Sequence, residues 1–140
     1  MKVTYAHLCD YAVAAADGKP THAGLFSRLF VKGLPAAHLR SFFVFGVSIP
    51  EGEALRPKSY RVLVVAPSGK ELGESKGTLT PKAIGKRGPI LLSHSIVPIP
   101  VLGIEELGVH RVRLFLGSGT KAAAEALFEV AEKEESAAGR

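Results

Sequence analysis

Short runs of β-branched and aromatic residues, separated by Gly and Pro, recur along the chain. The clearest run spans 109–116, where side chains alternate between two faces: His110, Val112, Leu114 and Leu116 on one, and Arg111, Arg113 and Phe115 on the other. A period of two residues is typical of β-strands. Many short strands between turns predict an all-β protein, a two-sheet antiparallel β-sandwich that is Greek-key, immunoglobulin-like or similar, with about seven or eight strands.

The first two runs, 3–16 and 21–31, flank Asp17-Gly18. This dipeptide favours a two-residue hairpin turn, because both central positions of a type I′ turn need positive φ. The resulting register sets three pairs opposite each other: Tyr11 and Gly24, Cys9 and Phe26, and Val13 and His22. We therefore expect Cys9 to be a small buried thiol near Phe26, and His22 to lie far from His7.

The later segments differ in their expected exposure. Residues 39–49 are too apolar for a surface strand, so we expect a central strand covered on both faces. Residues 71–79 are polar, which indicates an edge strand, and Pro98-Ile99-Pro100 is expected to end the strand 90–97. Residues 121–135 have a helix-like composition, but they follow a turn after a strong strand. A returning strand through 126–131 is favoured there, with a helix as the alternative.

Composition places the chain among folded domains. It has 140 residues, 46% hydrophobic and 22% charged, with a net charge of +5. We expect one domain over residues 1–131 and a flexible charged tail over 132–140. A single cysteine excludes an internal disulfide, and the pattern shows no membrane helix or signal peptide, so we expect a cytoplasmic protein. The lack of Asn and Gln favours a thermophilic origin.

Three motifs near the N-terminus resemble those of a bacterial family known as a domain of unknown function. They are CDYA at 9–12, DGK at 17–19 and GLF at 24–26. The resemblance implies a single β-sandwich whose last strand lies near 128–130, and it brings no activity or site residues. His110 stands where such sheets often have Tyr, which suggests a structural role for its ring.

No set of residues in the sequence fits a catalytic or cofactor site. In a strand, His7 and Cys9 share a face and Asp10 points away, and the residues do not supply an orienting group and oxyanion hole for a nucleophile. The five histidines show no metal-binding spacing and are expected to be scattered. The glycines form no phosphate-binding loop. We predict no enzyme activity, no metal and no cofactor.

Basic residues are the remaining candidates for contact with a partner. They are Lys82, Lys86 and Arg87 in a loop, and Arg111 and Arg113 on a strand. With Arg61, the two strand arginines are expected to form a cationic strip that pairs with Glu71 or Glu74.

We expect a non-enzymatic interaction module that self-associates or binds a protein. A homodimer through an edge strand such as 71–79 fits this expectation. The alternative is a nucleic-acid-associated protein that uses its basic surface, whose binding would weaken steeply with salt. A small hydrolase is a third class, and it would need a pocket where His, Asp and Cys cluster.

Overall fold

The computed structural model describes residues 1–17, 19–50, 53, 56–80 and 90–134, with side chains at 90 and 91 left out. Within these ranges the protein is all β, without a helix, which confirms the predicted fold class. The strands are β1 (Lys2–Ala14), β2 (Pro20–Leu25), β3 (Arg28–Val31), β4 (Ala36–His38), β5 (Ser41–Pro50), β6 (Lys58–Val65), β7 (Glu71–Leu79), β8 (Ile90–Ile99), β9 (Leu102–Ile104), β10 (Gly108–Leu116) and β11 (Ala124–Glu132).

Two sheets pack face to face, with a small third sheet beside them. The first sheet has the order β2-β1-β5-β8, the second β3-β11-β10-β6-β7, and β4 pairs with β9. Both main sheets turn their apolar side chains inward, as the period-two pattern requires. The fully buried core includes Phe43, Phe45, Val62, Val112 and Leu114.

The first hairpin departs from the predicted register by one residue. Ala14 pairs with Pro20, and the Ala15 N–H donates to the Lys19 carbonyl at 2.8 Å. The connection is therefore longer than the two-residue turn that Asp17-Gly18 favours, and the predicted pairs are wrong.

The run 21–31 does not form one strand, which is a reason why eleven strands are described rather than seven or eight. β2 stays in the first sheet, whereas β3 crosses to the second sheet and pairs with β11 in parallel. Phe26, between them, packs on the main core, while Cys9 packs with Ala12 and Val44 on the other side of the first sheet. The predicted contact between Cys9 and Phe26 is therefore wrong.

Three other strand predictions are confirmed and one is not. β5 lies between β1 and β8 with both faces covered, β7 lies at an edge, and residues 124–132 form a strand. β8, however, continues through Pro98 to Ile99. Because β8 is an edge strand, the missing N–H of Pro98 costs less there than in a central strand.

Candidate functional site

The arginines proposed for partner contact lie on the outer face of the second sheet. Arg111 Nη1 contacts Glu125 Oε1 at 2.7 Å, and Arg113 Nε contacts Glu125 Oε2 at 3.0 Å. The Arg61 guanidinium lies 4.5 Å from the centre of the Phe115 ring. The predicted pairing with acidic residues of β7 is therefore wrong. The loop candidates Lys82, Lys86 and Arg87 lie outside the described residues.

Each main sheet has two edge strands, and β7 of the second sheet differs in charge from β8 of the first. The second sheet ends at β7, which carries Glu71, Glu74 and Lys76 and contains a register shift opposite Val64 and Val65. Charges and bulges are features that protect an edge from pairing with another chain. The first sheet ends at β8, whose ten residues include no acidic or basic side chain apart from His94.

Backbone groups of β8 are directed toward its free edge. The Ser75 hydroxyl of β7 donates to the Pro98 carbonyl at 3.1 Å, so this carbonyl points away from β5. Every second residue of an antiparallel strand directs its backbone groups the same way. Leu92, His94 and Ile96 therefore present their backbone groups at the edge, and the Leu92 side chain is 60% exposed.

On the outer side of the first sheet, the distal half of the first hairpin folds over the sheet. His22 pairs with Ala12, which in a straight strand would lie about 17 Å along from His7. The rings of His7 and His22 are nevertheless in hydrogen-bond contact. β1 and β2 must therefore bend between these points, where Gly24 has a φ of 68° and lies against Asp10. A positive φ favours glycine, which explains the residue type.

We call the folded-over part the arm; it consists of residues 11–14 of β1 and 20–23 of β2. Ala12 of the arm belongs to a second apolar cluster, in which it is buried together with Cys9 and Val44 beneath the arm. Tyr5, Phe42 and Ile96 pack around it, half-buried. In a straight strand Cys9 and Ala12 would face opposite sides, so this cluster also requires the bend.

Four polar rings gather beside this cluster. The Nε2 of His7 and the Nδ1 of His22 are 2.7 Å apart, and the Tyr5 hydroxyl is 2.7 Å from the Nδ1 of His94. The Tyr5 ring stacks on His7 with centroids 5.2 Å apart. The prediction that the histidines are scattered is therefore wrong for three of the five.

The sequence analysis missed this cluster because the predicted hairpin was straight. Gly24, a glycine within a strand run, indicated a bulge. The spacing of residues along the sequence, however, predicts neither the bend nor the position of β8 beside β5. Within the described ranges, the structure contains no group of three or more His, Cys, Asp or Glu residues arranged to hold a metal ion.

Burial sets the chemistry of this region. It lowers the pKa of His7, and the nearby charge of His22 lowers it further. Burial also raises the pKa of the Cys9 thiol, whose Sγ lies 3.9 Å from the Phe42 carbonyl oxygen. A reactive cysteine needs a lowered pKa and an accessible sulfur, and Cys9 has neither.

The other two histidines have separate surroundings. His110 is fully buried, stacks on Phe128 with centroids 4.9 Å apart, and its Nδ1 lies 3.0 Å from the Gly108 carbonyl oxygen. The imidazole ring thus packs in the core and also contacts the backbone of its own strand, which fits the structural role expected from the sequence. His38 packs edge-on against Phe26, and burial lowers its pKa.

In the described ranges, no helix is long and apolar enough to cross a membrane.

A search of curated proteins finds no match to the chain. Among solved structures, it is similar to the alkylpurine DNA glycosylase AlkC of Pseudomonas fluorescens, bound to DNA containing an abasic site analog. That match has a TM-score of 0.39 and 13% identity, and it covers 75% of this chain and 27% of the glycosylase chain.

A family model matches residues 4–127, nearly the whole described domain. The match confirms the resemblance to a family of unknown function that the sequence analysis identified. The chain therefore belongs to the family of unknown function DUF6941.

Proposed function

We propose that the protein is a non-catalytic interaction module that self-associates through the free edge of β8. The observation that carries this proposal is the long edge from Ile90 to Val97, which has no acidic or basic side chain apart from His94; beyond it the Pro98 carbonyl already accepts from Ser75. Unpaired backbone groups on such an edge can pair with a strand of another chain. The result would be one continuous sheet across two molecules.

A second copy fits this edge because of both charge and symmetry. The chain carries a net charge of +5, so two copies repel each other unless they meet where few charges lie. At β8 each copy brings no acidic or basic side chain apart from His94, whereas at β7 both copies would bring Glu71, Glu74 and Lys76. An antiparallel strand that pairs with its own copy also satisfies two-fold symmetry, which closes the assembly as a dimer.

Side chains next to the edge support the same contact. Leu92 pairs with Ser48 of β5, so it lies on the outer face near the free edge. It is 60% exposed, although it is large and apolar. In a β8–β8 pair, cross-strand contacts would bury part of this surface and contribute to association.

The experiment compares one new charge on each edge. Leu92→Lys places a lysine on β8, and the matched control Thr78→Lys places a lysine at an exposed position of β7. We expect the wild type and Thr78→Lys to sediment as dimers at about 100 μM, and Leu92→Lys to sediment as a monomer with Kd raised about 100-fold or more. Circular dichroism checks that both variants are folded.

Two results would overturn the proposal. One is a wild-type protein that stays monomeric at this concentration. The other is a dimer that Thr78→Lys weakens as much as Leu92→Lys does, because the contact would then not be specific to β8.

A further inference from the structure

We propose that the His7–His22 hydrogen bond is a pH-sensitive latch that holds the arm closed over the first sheet. His7 lies on the part of β1 that pairs with β5, and His22 lies on the arm. Their contact therefore joins two parts of the hairpin that meet only because the strands bend. Opening the arm would separate the two rings and uncover Cys9 and Val44 beneath it.

The hydrogen bond between the two rings can form only in certain protonation states, because of its geometry. At 2.7 Å between ring nitrogens, one ring must donate its N–H and the other must accept with a lone pair. The pair can hold this bond with no added proton or with one. A second added proton removes the acceptor and sets two positive charges side by side, so the doubly protonated pair cannot stay closed.

The arm contributes few other groups that could offset this charge. The titratable groups around the pair are Tyr5 and Cys9 on β1 and His94 on β8, and β5 contributes Phe42, Val44, Gly46 and Ser48 to this face. Asp10 is on the other side of β1, against Gly24, and Asp17 and Lys19 form an ion pair at the far end of the hairpin. Lys2 pairs with Ser48, four residues along β5 from the partner of His7.

The direction of the pH effect follows from the closed state. Burial and the neighbouring ring lower the pKa of His7 while the arm is closed. The closed arm thus binds fewer protons than the open arm below the ordinary histidine pKa of about 6.5, and acid favours opening. The His22 Nε2, buried without a hydrogen-bond partner among the described residues, gains water on opening.

Cys9 provides the measurement, because it is the single cysteine of the chain and is fully buried under the arm. Its reaction rate with a pyridyl disulfide is measured from pH 7.5 to 5.0 and divided by the rate for the unfolded chain at each pH. This division removes the ordinary effect of thiol ionisation. We expect the normalised rate to rise about tenfold or more as the pH falls below about 6.

Two variants separate the latch from general acid sensitivity. His22→Phe keeps a ring of similar size but cannot form the bond, so we expect a higher rate with a weaker pH dependence, because only the effect of burial on His7 remains. His38→Phe is the matched control, since His38 is also half-buried with a lowered pKa but packs on Phe26 at the main core and makes no contact with His7 or His22. We expect it to keep the pH dependence of the wild type.

Proton NMR of the histidine rings gives a second readout that does not require a variant to fold. We expect the His7 resonances to report a pKa lowered from the ordinary histidine value, because burial in the closed arm disfavours the charged ring. A flat normalised rate in the wild type, or a His7 pKa that is not lowered from the ordinary histidine value, would overturn the latch. Neither measurement requires a second copy, so this result is separate from that of the β8 experiment.

Discussion

β7 and β8 follow each other in the chain, have nine and ten residues, and lie at the free edges of the two main sheets. Each is anchored to the core by a buried side chain, Leu79 in β7 and Ile99 in β8. Their solvent sides differ: β7 has charges, glycines and a register shift beside it, whereas β8 has apolar side chains, Ser and one His. Since each strand pairs with a central strand and is anchored by a buried side chain, the difference in charge concerns what each edge meets outside the molecule.

The largest effect, on the size of the assembly, is expected when charged side chains of β7 are replaced by apolar ones like those of β8. Glu74→Val with Lys76→Val removes two charges from the β7 edge without touching the core. Each molecule could then pair with one copy through β8 and with another through β7. Such an assembly continues as an open chain instead of closing as a dimer. We expect species much larger than a dimer by sedimentation velocity and light scattering.

Adding Leu92→Lys to that double variant is the control. It blocks β8 and should return the protein to dimers, now formed through β7. If the double variant behaves like the wild type, the charges of β7 do not protect its edge.

The second prediction tests whether the two edges are equally anchored. Leu79→Ala and Ile99→Ala each remove a large side chain that is 3% or 5% exposed. We expect each to lower the free energy of unfolding by about 2–5 kcal/mol. Urea unfolding at low protein concentration measures both losses. If only one variant is strongly destabilised, the edges differ inside the molecule as well, and the comparison no longer isolates the surface.

The third prediction concerns pH. Burial lowers the pKa of both His7 and His38, so the folded protein binds fewer protons than the unfolded chain below about pH 6.5. Stability is complete above this pH, and we expect the free energy of unfolding to fall as the pH decreases from 7.5 to 5.5.

Amide hydrogen exchange shows which strands lose stability as the pH falls. Amides of β1, β2 and β8 should lose protection in acid, while those of β7 should keep it. Equal loss in β7 and β8 would show that acid loosens the whole sandwich rather than the first sheet.

The smallest effect is expected from Glu74→Gln, which breaks the 3.2 Å pair between Lys76 and Glu74 on β7. Exposed pairs contribute about 0–1 kcal/mol, so the free energy of unfolding should change by less than about 0.5 kcal/mol. Urea unfolding at low and high salt measures the change. A loss above about 1 kcal/mol would mean that these charges support the fold rather than protect the edge.

Local patterns were sufficient to predict which residues form strands, because alternation and turn residues act over a few positions. β5 as a covered central strand, β7 as an edge and 124–132 as a strand are examples. The run 21–31 was mispredicted because nothing in its own residues shows that β3 leaves for the other sheet.

The candidate sites needed information that the sequence does not carry locally. The edge position of β8 depends on which strands pair, and Pro98 was interpreted as a strand end rather than as a residue tolerated at an edge. The contact of His7 with His22 depends on a bend whose local sign is Gly24. A glycine in a strand run predicts a bulge but not its direction.

The parallel pairing of β3 with β11 has a consequence for biosynthesis. Residues 28–31 leave the ribosome early, but their partners at 129–132 follow about a hundred residues later. Until then β3 has no strand to pair with in its sheet, whereas β1 and β2 of the first hairpin have both been synthesised and can pair. Pairing between such distant segments is slow to form, so we expect closure of the second sheet to be a late step of folding.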